Sequence, residues 1–283
     1  MCGIFGFSKT TANTIRMTGP LAIFMNQRGS DSWGVTDGEH IYKAVGPITK
    51  GFRLFNLNGP TYHTRGASVG HVTAKNAHPF KVDYKGKTVI GVHNGHIHNH
   101  DALKTKYNRK QCEVDSEQIF HHLAEEKDLG ELSGWGTVVW YEYPTGKPEE
   151  KVRYLSMFNH DALHIARLKS GEYVFASTKE SIDIAAKVSA CKIDTFFDIH
   201  KNKKYSLSED QLLEYEEELP WCKNSYKENY SGTTGETYYK GRSCGNYNST
   251  HLCPLPDCTN TVTSGHLICD AHFEELKADV AAV

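Results

Sequence analysis

Three features that would assign this chain to a specialised class of protein are missing from its sequence. No run approaches the ~18 apolar residues that a membrane-spanning helix needs, and the N-terminus has no basic-then-apolar signal pattern. Net charge is small, because 32 Lys and Arg against 34 Asp and Glu leave −2. Proteins that bind nucleic acid usually carry a basic excess. We therefore expect a soluble, cytoplasmic protein that engages neither a membrane nor nucleic acid.

Cysteine is too scarce and too unevenly distributed for the disulfide scaffold of a small secreted protein. The chain has eight cysteines in 283 residues, and Cys2 stands alone at the start. Four others crowd into the last 40 residues, namely Cys244, Cys253, Cys258 and Cys269. This asymmetry predicts two different cysteine chemistries in one chain.

The apolar patterning indicates an α+β body over residues 2–220. Strands are predicted at 2–7, 33–36, 40–45, 67–72, 88–92, 136–143, 151–158 and 172–177. Helices are predicted at 100–107, 116–126 and 179–188. A further helix is expected to begin at Gly19–Pro20 rather than near Asn13, because proline is tolerated in a first turn but not in a helix interior.

The second residue has a chemistry of its own if the initiator methionine is removed. Cys2 would then carry a thiol and a free amine, whose reference pKa values are about 8.5 and about 7.7–8.0. The amine can accept the thiol proton near neutral pH, which is the N-terminal-nucleophile arrangement. Position alone does not decide the matter, since a cysteine after methionine is more often a small buried residue.

Six short blocks that follow one another along the first 120 residues carry a family resemblance. They are CGIFG at 2–6, RGSDSWG at 28–34, HTR at 63–65, NAHP at 76–79, HNGHIHN at 93–99 and VDSE at 114–117. In this order they resemble the class II, N-terminal-nucleophile, glutamine amidotransferases, such as the glutaminase domains of glucosamine-6-phosphate synthase and amidophosphoribosyltransferase. The resemblance implies a four-layer αββα N-terminal-nucleophile hydrolase sandwich, built from two antiparallel sheets between helical layers.

The resemblance also implies catalytic roles. Cys2 is the expected nucleophile, and a tetrahedral oxyanion needs preorganised donors, which the family supplies from the positions of Asn94 and Gly95. Read without the family, Asn94-Gly95 is a tight turn after the 88–92 strand. Arg28 and Asp31 are expected to brace the turn around the cysteine, with a direct part in catalysis as the alternative.

Recognition of free glutamine requires partners for an α-carboxylate and an α-ammonium. Arg65 matches the family arginine that forks onto the carboxylate, and Asp115 matches the acid that holds the ammonium. A surface salt bridge for Arg65 and a helix cap for Asp115 are the structural alternatives. His78 matches a family histidine near the pocket. Gly66, where the family often has a bulky aromatic, predicts an altered wall over the substrate.

The last part of the chain suggests a metal site. Residues 221–250 are polar with almost no aliphatic side chains, so we expect a flexible linker there. In residues 251–283, the spacing Cys253-x4-Cys258-x10-Cys269-x2-His272 suits tetrahedral zinc. We expect a small zinc knob with a terminal helix at 273–280. Substitute ligands (Cys244, His251 and His266), reduced thiols or a disulfide stay open.

These observations predict a glutaminase that needs no cofactor for hydrolysis. It would cleave L-glutamine through a γ-glutamyl thioester on Cys2 and release ammonia. No phosphate-binding, sugar-isomerase or phosphoribosyl-binding signature follows residue 215, so we expect a synthase on a separate chain to accept the ammonia. The alternatives are an amidohydrolase for another γ-glutamyl or small amide substrate, and a catalytically idle zinc-containing binding module.

Overall fold

The computed structural model describes residues 2–51, 57–159 and 162–221, together with 251–252, 261–262 and 271. The chain divides into two units, Met1–Asn224 and Ser225–Val283. In the second unit, His251–Leu252 pairs antiparallel with Thr261–Val262. The residues predicted to bind zinc lie outside the described residues, as do 222–250 and the helix expected at 273–280. The predicted zinc ligands are Cys253, Cys258, Cys269 and His272.

Most of the first unit is β-strand. The strands are β1 (Gly3–Phe7), β2 (Ser32–Thr36), β3 (Ile41–Val45), β4 (Thr61–Arg65), β5 (Phe80–Tyr84), β6 (Lys87–Ile97), β7 (Gly134–Pro144), β8 (Val152–Phe158), β9 (His164–Leu168), β10 (Tyr173–Ala176), β11 (Ile193–Phe197), β12 (Lys203–Leu207) and β13 (Leu212–Glu218). The helices are α1 (Ala12–Asn26), α2 (Ile48–Gly51), α3 (His100–Lys106), α4 (Glu117–Glu125) and α5 (Lys179–Val188).

Two sheets hold these strands. The seven-stranded sheet has the order β11-β9-β10-β1-β4-β2-β3, and the six-stranded sheet has the order β13-β12-β8-β7-β6-β5. Within the described residues, the strand pairings are antiparallel. Antiparallel sheets need no helical crossover between neighbouring strands, which agrees with the small number of helices in the chain.

The sheets pack against each other, and helices cover their outer faces. One core cluster lies between the sheets, because it combines Ile4 and Phe175 of the first sheet with Val92 and Leu155 of the second. Helices α1 and α5 pack on the seven-stranded sheet, and α4 packs on β5 and β6. A second cluster, which includes Phe120, fills the space under α4. The observed order of layers is therefore αββα.

Burial on both faces explains the composition of the central strands. Strand β6 reads KTVIGVHNGHI and is buried from Thr88 to Asn94, because one face meets the other sheet and the opposite face meets α4. Such strands lose the usual alternation of apolar and polar residues. Among the described residues, no helix is long and apolar enough to cross a membrane.

The expected start of the first helix is wrong. Helix α1 begins at Ala12 and continues through Pro20 to Asn26. Thr11 caps it, since its side chain accepts from the backbone N–H of Thr14 while the Thr14 hydroxyl accepts from the backbone N–H of Thr11. Pro20 removes one helical hydrogen bond. Burial of the helix face that carries Met17 and Leu21 offsets that loss.

The strand predicted at 67–72 is also wrong. Its place in the sheet is taken by β4 (Thr61–Arg65), which pairs with β1 and β2, and residues 67–72 form irregular chain beyond its end. Strands β5, β9, β11, β12 and β13 were not predicted. Several of them are short or strongly polar, and β13 carries four glutamates in seven residues, so periodicity does not reveal them.

Candidate active site

Cys2 lies immediately before β1, next to the end of β4. The pairing of Gly3 with Thr64 places the cysteine beside Arg65 and Gly66, although these residues are far apart in sequence. The Cys2 thiol donates a hydrogen bond to the Gly66 carbonyl oxygen, with an Sγ–O distance of 3.7 Å. The register between β1 and β4 therefore places the thiol beside Arg65 and Gly66.

The turn that precedes β2 stabilises the backbone around Cys2 and the end of β4. Arg28 Nε donates to the carbonyl oxygen of Cys2 at 2.9 Å. Asp31 accepts from the backbone N–H of Ala67 at 2.8 Å through Oδ2, and its own N–H donates to the Arg65 carbonyl at 3.0 Å. These contacts hold the backbone around the thiol.

A pocket of about 240 Å³, including the solvent-filled space at its mouth, opens at the thiol. Six of the residues singled out in the sequence line it, namely Cys2, Arg65, Gly66, His78, Gly95 and Asp115. His93 and Ser116 are also part of its wall. The pocket thus combines a thiol, a guanidinium and a carboxylate, which are contributed by three separate segments of the chain.

Arg65 is buried at the end of β4, with 2% of its surface exposed. Its guanidinium donates to the carbonyl oxygen of His71 at 3.2 Å and to the carbonyl oxygen of Val69. The alternative of a surface salt bridge is therefore wrong. Carbonyl oxygens hold the guanidinium in place without neutralising its charge, so the cation stays available to an anionic ligand.

Asp115 does not cap a helix with its side chain. Helix α4 begins at Glu117 after the N-cap residue Ser116, and that cap makes no side-chain hydrogen bond. Instead, Asp115 Oδ2 accepts from the backbone N–H of Ile97 at 2.8 Å and lies 3.5 Å from His96 Nδ1. The carboxylate is thereby turned toward β6 and the pocket.

Asn94 and Gly95 lie inside β6, so the alternative of a tight turn is also wrong. Asn94 is buried, and its side-chain amide donates to the Ser177 hydroxyl at 3.3 Å. Ser177 Oγ also accepts from the backbone N–H of Ile4 at 2.9 Å. One side chain therefore links the amide of Asn94 to the strand that follows Cys2.

Gly95 occupies a position that excludes any side chain. A Cβ there would lie 2.0 Å from the carbonyl oxygen of Trp135 and 2.5 Å from His93 Nε2. Because the missing Cβ allows this close approach, β6 packs tightly against β7 and the backbone of Gly95 reaches the pocket wall.

Three buried histidines lie at the pocket, His78 and His93 in its wall and His63 against His78. The rings of His63 and His78 are 4.0 Å apart, and both nitrogens of His78 lack a hydrogen-bond partner in the described residues. Burial lowers the pKa of His63 to about 3, of His93 to about 4 and of His78 well below its usual value. All three imidazoles are neutral at neutral pH.

His93 has a defined tautomer. Its Nε2 is 3.3 Å from the Trp135 carbonyl oxygen, which can only accept, so the ring proton lies on Nε2. Nδ1 then accepts from the Ser116 hydroxyl at 2.9 Å. Both nitrogens are committed to the scaffold, and His93 therefore orients the strand rather than transferring protons.

Burial is also the main influence on the nucleophile. It raises the pKa of the Cys2 thiol, while the positive charge of Arg65 acts in the opposite direction. The thiol is therefore protonated at neutral pH. Among the described residues, no group of three or more His, Cys, Asp or Glu is arranged to hold a metal ion.

Sequence reasoning missed Ser177. Thr178, the next residue, caps α5 by accepting from the backbone N–H of Ser181. A helix cap needs only one hydroxyl group. The second hydroxyl of the Ser177-Thr178 pair was therefore the available signal that Ser177 has a different hydrogen-bond partner. His93 and Ser116 lie within quoted motifs but received no role.

The chain is similar to known proteins over part of its length. The family model for class-II glutamine amidotransferases matches residues 51–131. A glutamine–fructose-6-phosphate aminotransferase (isomerizing) of Methanosarcina mazei is 34% identical over 144 residues, which cover 47% of this chain and 23% of that protein. An amidophosphoribosyltransferase of Methanocaldococcus jannaschii is 31% identical over 140 residues, covering 44% and 30%. The matched part thus spans under a third of these relatives.

Solved structures share the fold. An allosteric regulatory enzyme of purine biosynthesis superposes with a TM-score of 0.55 at 19% identity, covering 76% of this chain and 48% of that one. The glutamine phosphoribosylpyrophosphate amidotransferase from B. subtilis gives 0.54 at 18% identity, with 76% and 49% covered. The superpositions show a shared fold. Residues 51–131 match the class-II glutamine amidotransferase domain, and over this part of its length the chain is similar to enzymes of that family.

Proposed function

We propose that this chain hydrolyses L-glutamine to glutamate and ammonia through a γ-glutamyl thioester on Cys2. One observation carries the proposal: the Cys2 thiol, the Arg65 guanidinium and the Asp115 carboxylate line the same pocket. A cation and an anion beside a nucleophile match the two charged groups of a free α-amino acid.

Substrate binding would use both charges. The planar fork of Arg65 suits a bidentate contact with the α-carboxylate, and its hold on the Val69 and His71 carbonyls limits its movement. Asp115, fixed by the Ile97 N–H, would accept from the α-ammonium. With the head of the substrate bound at these two points, its side-chain amide would extend toward Cys2.

The chemical step needs a base, because the buried thiol is protonated. Burial makes His63, His78 and His93 too weakly basic to serve. We propose that the α-amine of Cys2, exposed by removal of Met1, takes the thiol proton. This carries over the N-terminal-nucleophile arrangement expected from the sequence.

The reaction then proceeds through two tetrahedral species. Sγ bonds to the amide carbon, and the negative oxygen would be stabilised by the Asn94 side-chain amide and the Gly95 N–H. The ammonium of Cys2 returns its proton to the leaving nitrogen, and ammonia departs as the thioester forms. Water, deprotonated by the same amine, adds to the thioester, and glutamate leaves as the thiol is regenerated.

The test is direct. Purified protein should show the mass of the chain without Met1 and should release equal amounts of glutamate and ammonia from glutamine. A glutamine-like diazoketone should add one label per chain and abolish the activity. Cys2→Ala and Cys2→Ser should remove label and activity while leaving the thermal unfolding midpoint unchanged. Unaltered glutamate release by Cys2→Ala would overturn the proposal.

We propose further that the ammonia is used by a synthase on a separate chain. Release of free ammonia by this chain alone, and channelled transfer only after addition of the acceptor enzyme, would support that arrangement. Comparable hydrolysis rates on bulkier γ-glutamyl amides would instead favour a general amidohydrolase, an outcome for which Gly66 leaves room in the pocket wall.

The zinc site remains a proposal from sequence spacing. We propose that Cys253, Cys258, Cys269 and His272 bind one structural Zn²⁺. Elemental analysis of the full chain should find about one zinc per chain, and Cys258→Ser should lower that content while Cys112→Ser should not. Full occupancy in the Cys258→Ser protein would exclude this ligand set.

A further inference from the structure

The outer face of the six-stranded sheet is wider than the helix that packs on it. Helix α4 packs on β5 and β6, and the core cluster under it reaches Trp140 on β7. Strands in a sheet are about 4.8 Å apart and a helix is about 10 Å wide, so one helix covers about two strands. Strands β8, β12 and β13 continue the sheet beyond the width of α4.

Apolar side chains are exposed on this part of the outer face. Tyr154, which packs against the cluster under α4, marks the outer side of β8. Val152 lies two residues before it on the same side of the strand. Ser206 pairs with Tyr154 and also with Leu213, while the ring of Tyr215 is 6.0 Å from that of Tyr154. Val152, Leu213 and Tyr215 are 40%, 46% and 36% exposed.

The aromatic rings of this face already hold a cation. Lys204 Nζ lies 4.9 Å from the centre of the Tyr154 ring and 4.4 Å from the centre of the Tyr215 ring. The electron-rich faces of tyrosine rings attract ammonium and guanidinium groups. The surface therefore suits a ligand that combines apolar side chains with positive charge.

The border of the face is strongly acidic. Residues 208–218 carry six carboxylates and neither lysine nor arginine, although the whole chain has a net charge of only −2. Lys9 pairs with Asp210 at 2.5 Å, while Glu216 and Glu217 are exposed near the other end of the segment. Because neighbouring carboxylates repel one another, a cationic ligand would be attracted to this border.

Charge and strand geometry decide between the possible occupants. Two copies of the chain that met along β13 would bring two acidic strands together, which is unfavourable. The pairing of β12 with β13 is also irregular between Lys203 and Tyr205, and such bulges hinder the addition of another strand. A helix lying on the face needs no free strand edge, and its width matches the strands that α4 does not cover.

We propose that the outer face of β8, β12 and β13 binds a basic amphipathic helix of a partner protein. The apolar side of that helix would pack on Val152, Leu213 and Tyr215, in the same layer as α4. Lysine and arginine side chains along its border would pair with the carboxylates of residues 208–218. None of these residues lines the pocket, so the proposal does not depend on the glutaminase function.

The test uses the full chain and a synthetic helix as the probe. A fluorescein-labelled peptide of about 18 residues would carry leucine at positions i, i+3, i+4 and i+7 and lysine elsewhere. Fluorescence anisotropy should show saturable binding to the wild type. A peptide with glutamate in place of every lysine should not bind, and added salt should weaken binding of the lysine peptide.

A first pair of variants tests the apolar part of the face. L213S/Y215S should weaken binding of the lysine peptide about tenfold or more. V72S is the matched control, because Val72 is also 46% exposed but lies in the irregular chain after β4. It should bind within about twofold of the wild type.

A second pair tests the acidic border. E216K/E217K reverses two exposed charges of β13 and should weaken binding about tenfold or more. E39K/E180K makes the same change in net charge at exposed positions between β2 and β3 and on α5. This control should bind within about twofold of the wild type, because it leaves the border as it is.

The outcomes are distinct from those of the glutaminase test. Equal affinities of the wild type, L213S/Y215S and E216K/E217K overturn the proposal, as does the absence of saturable binding to the wild type. A concentration-dependent dimer that L213S/Y215S abolishes also overturns it, because the face would then join two copies of the chain. All variants should hydrolyse glutamine at the wild-type rate. Failure of every protein to do so would overturn the proposed function and leave this inference standing.

Discussion

The side-chain amide of Asn94 donates to the hydroxyl of Ser177 across the junction of the two sheets. Asn94 lies on β6 of the six-stranded sheet, and Ser177 follows β10 of the seven-stranded sheet. The same hydroxyl accepts from the N–H of Ile4, two residues beyond the nucleophile. Ser177 thus couples the proposed oxyanion donor to the strand that carries the thiol, and the relative position of nucleophile and donor depends on how the sheets pack.

Replacement of Ser177 should therefore impair catalysis more than folding. Ser177→Ala removes the partner of Asn94 and should lower kcat for glutamine hydrolysis about tenfold or more, while the free energy of unfolding falls by about 1–3 kcal/mol. Thr178→Ala is the neighbouring control, because it removes the cap of α5, worth about 0.5–2 kcal/mol, and leaves the site alone. Steady-state kinetics and denaturant unfolding measure both. Equal kcat values for the two variants would contradict the coupling.

Arg65 should govern substrate affinity through its shape as well as its charge. Arg65→Lys keeps the charge but loses the fork that holds the Val69 and His71 carbonyls and would bind the α-carboxylate. We expect KM for glutamine to rise at least about tenfold, with a smaller change in kcat. Lys43→Arg, on β3 and outside the residues that line the pocket, is a charge-conserving control that should leave KM unchanged. A kcat defect at constant KM in Arg65→Lys would refute this assignment.

Gly95 should not tolerate a methyl group. In Gly95→Ala the new Cβ would clash with the Trp135 carbonyl oxygen and with His93 Nε2. The strand must shift, so we expect a loss of stability of about 3 kcal/mol or more, together with loss of activity. Gly19→Ala is the comparison, since no atom beyond the backbone of its own helix lies within 4 Å of the place its methyl group would take, and alanine favours the helix by about 1 kcal/mol. Thermal unfolding of both proteins tests the contrast.

The buried histidines should make the fold sensitive to acid. Their pKa values in the folded protein lie below the unfolded value of about 6.5, so the unfolded state binds more protons once the pH falls below that value. Stability should be independent of these groups above about pH 6.5 and should fall by about 1 kcal/mol per pH unit for each histidine as the pH drops toward 4.

His78→Phe offers a test of that dependence. The ring packs between His63 and Phe80, and its nitrogens have no partner in the described residues, so a phenyl group should fit. Between about pH 6 and pH 4.5, the slope of the unfolding free energy against pH should decrease by the contribution of one histidine, about 1 kcal/mol per pH unit. Thr178→Ala, which removes no titratable group, should leave the slope as it is. An unchanged slope in His78→Phe would show that His78 is not the source.

Local sequence patterns predicted those helices and strands whose ends are set by residues close to them in the sequence. Helix α5 lies where the sequence placed it, at Lys179–Val188, because a capping hydroxyl and an amphipathic repeat act within one segment. Helix α1 shows the limit of such reasoning. Pro20 is unfavourable locally, and the helix continues through it because burial against the sheet contributes more than one lost hydrogen bond.

The motifs around Cys2, Arg65, Asn94 and Asp115 show, without any structure, which chemical groups are present and in what order. Which of these groups come into contact follows from the tertiary structure. Strand register brings Cys2 to Gly66, 64 positions away, and sheet packing brings Ser177 to Asn94 and Ile4, while the contact of His96 with Asp115 arises where β6 passes the segment before α4. Contacts of this kind depend on pairing between distant segments, and no periodicity within either segment encodes the partner.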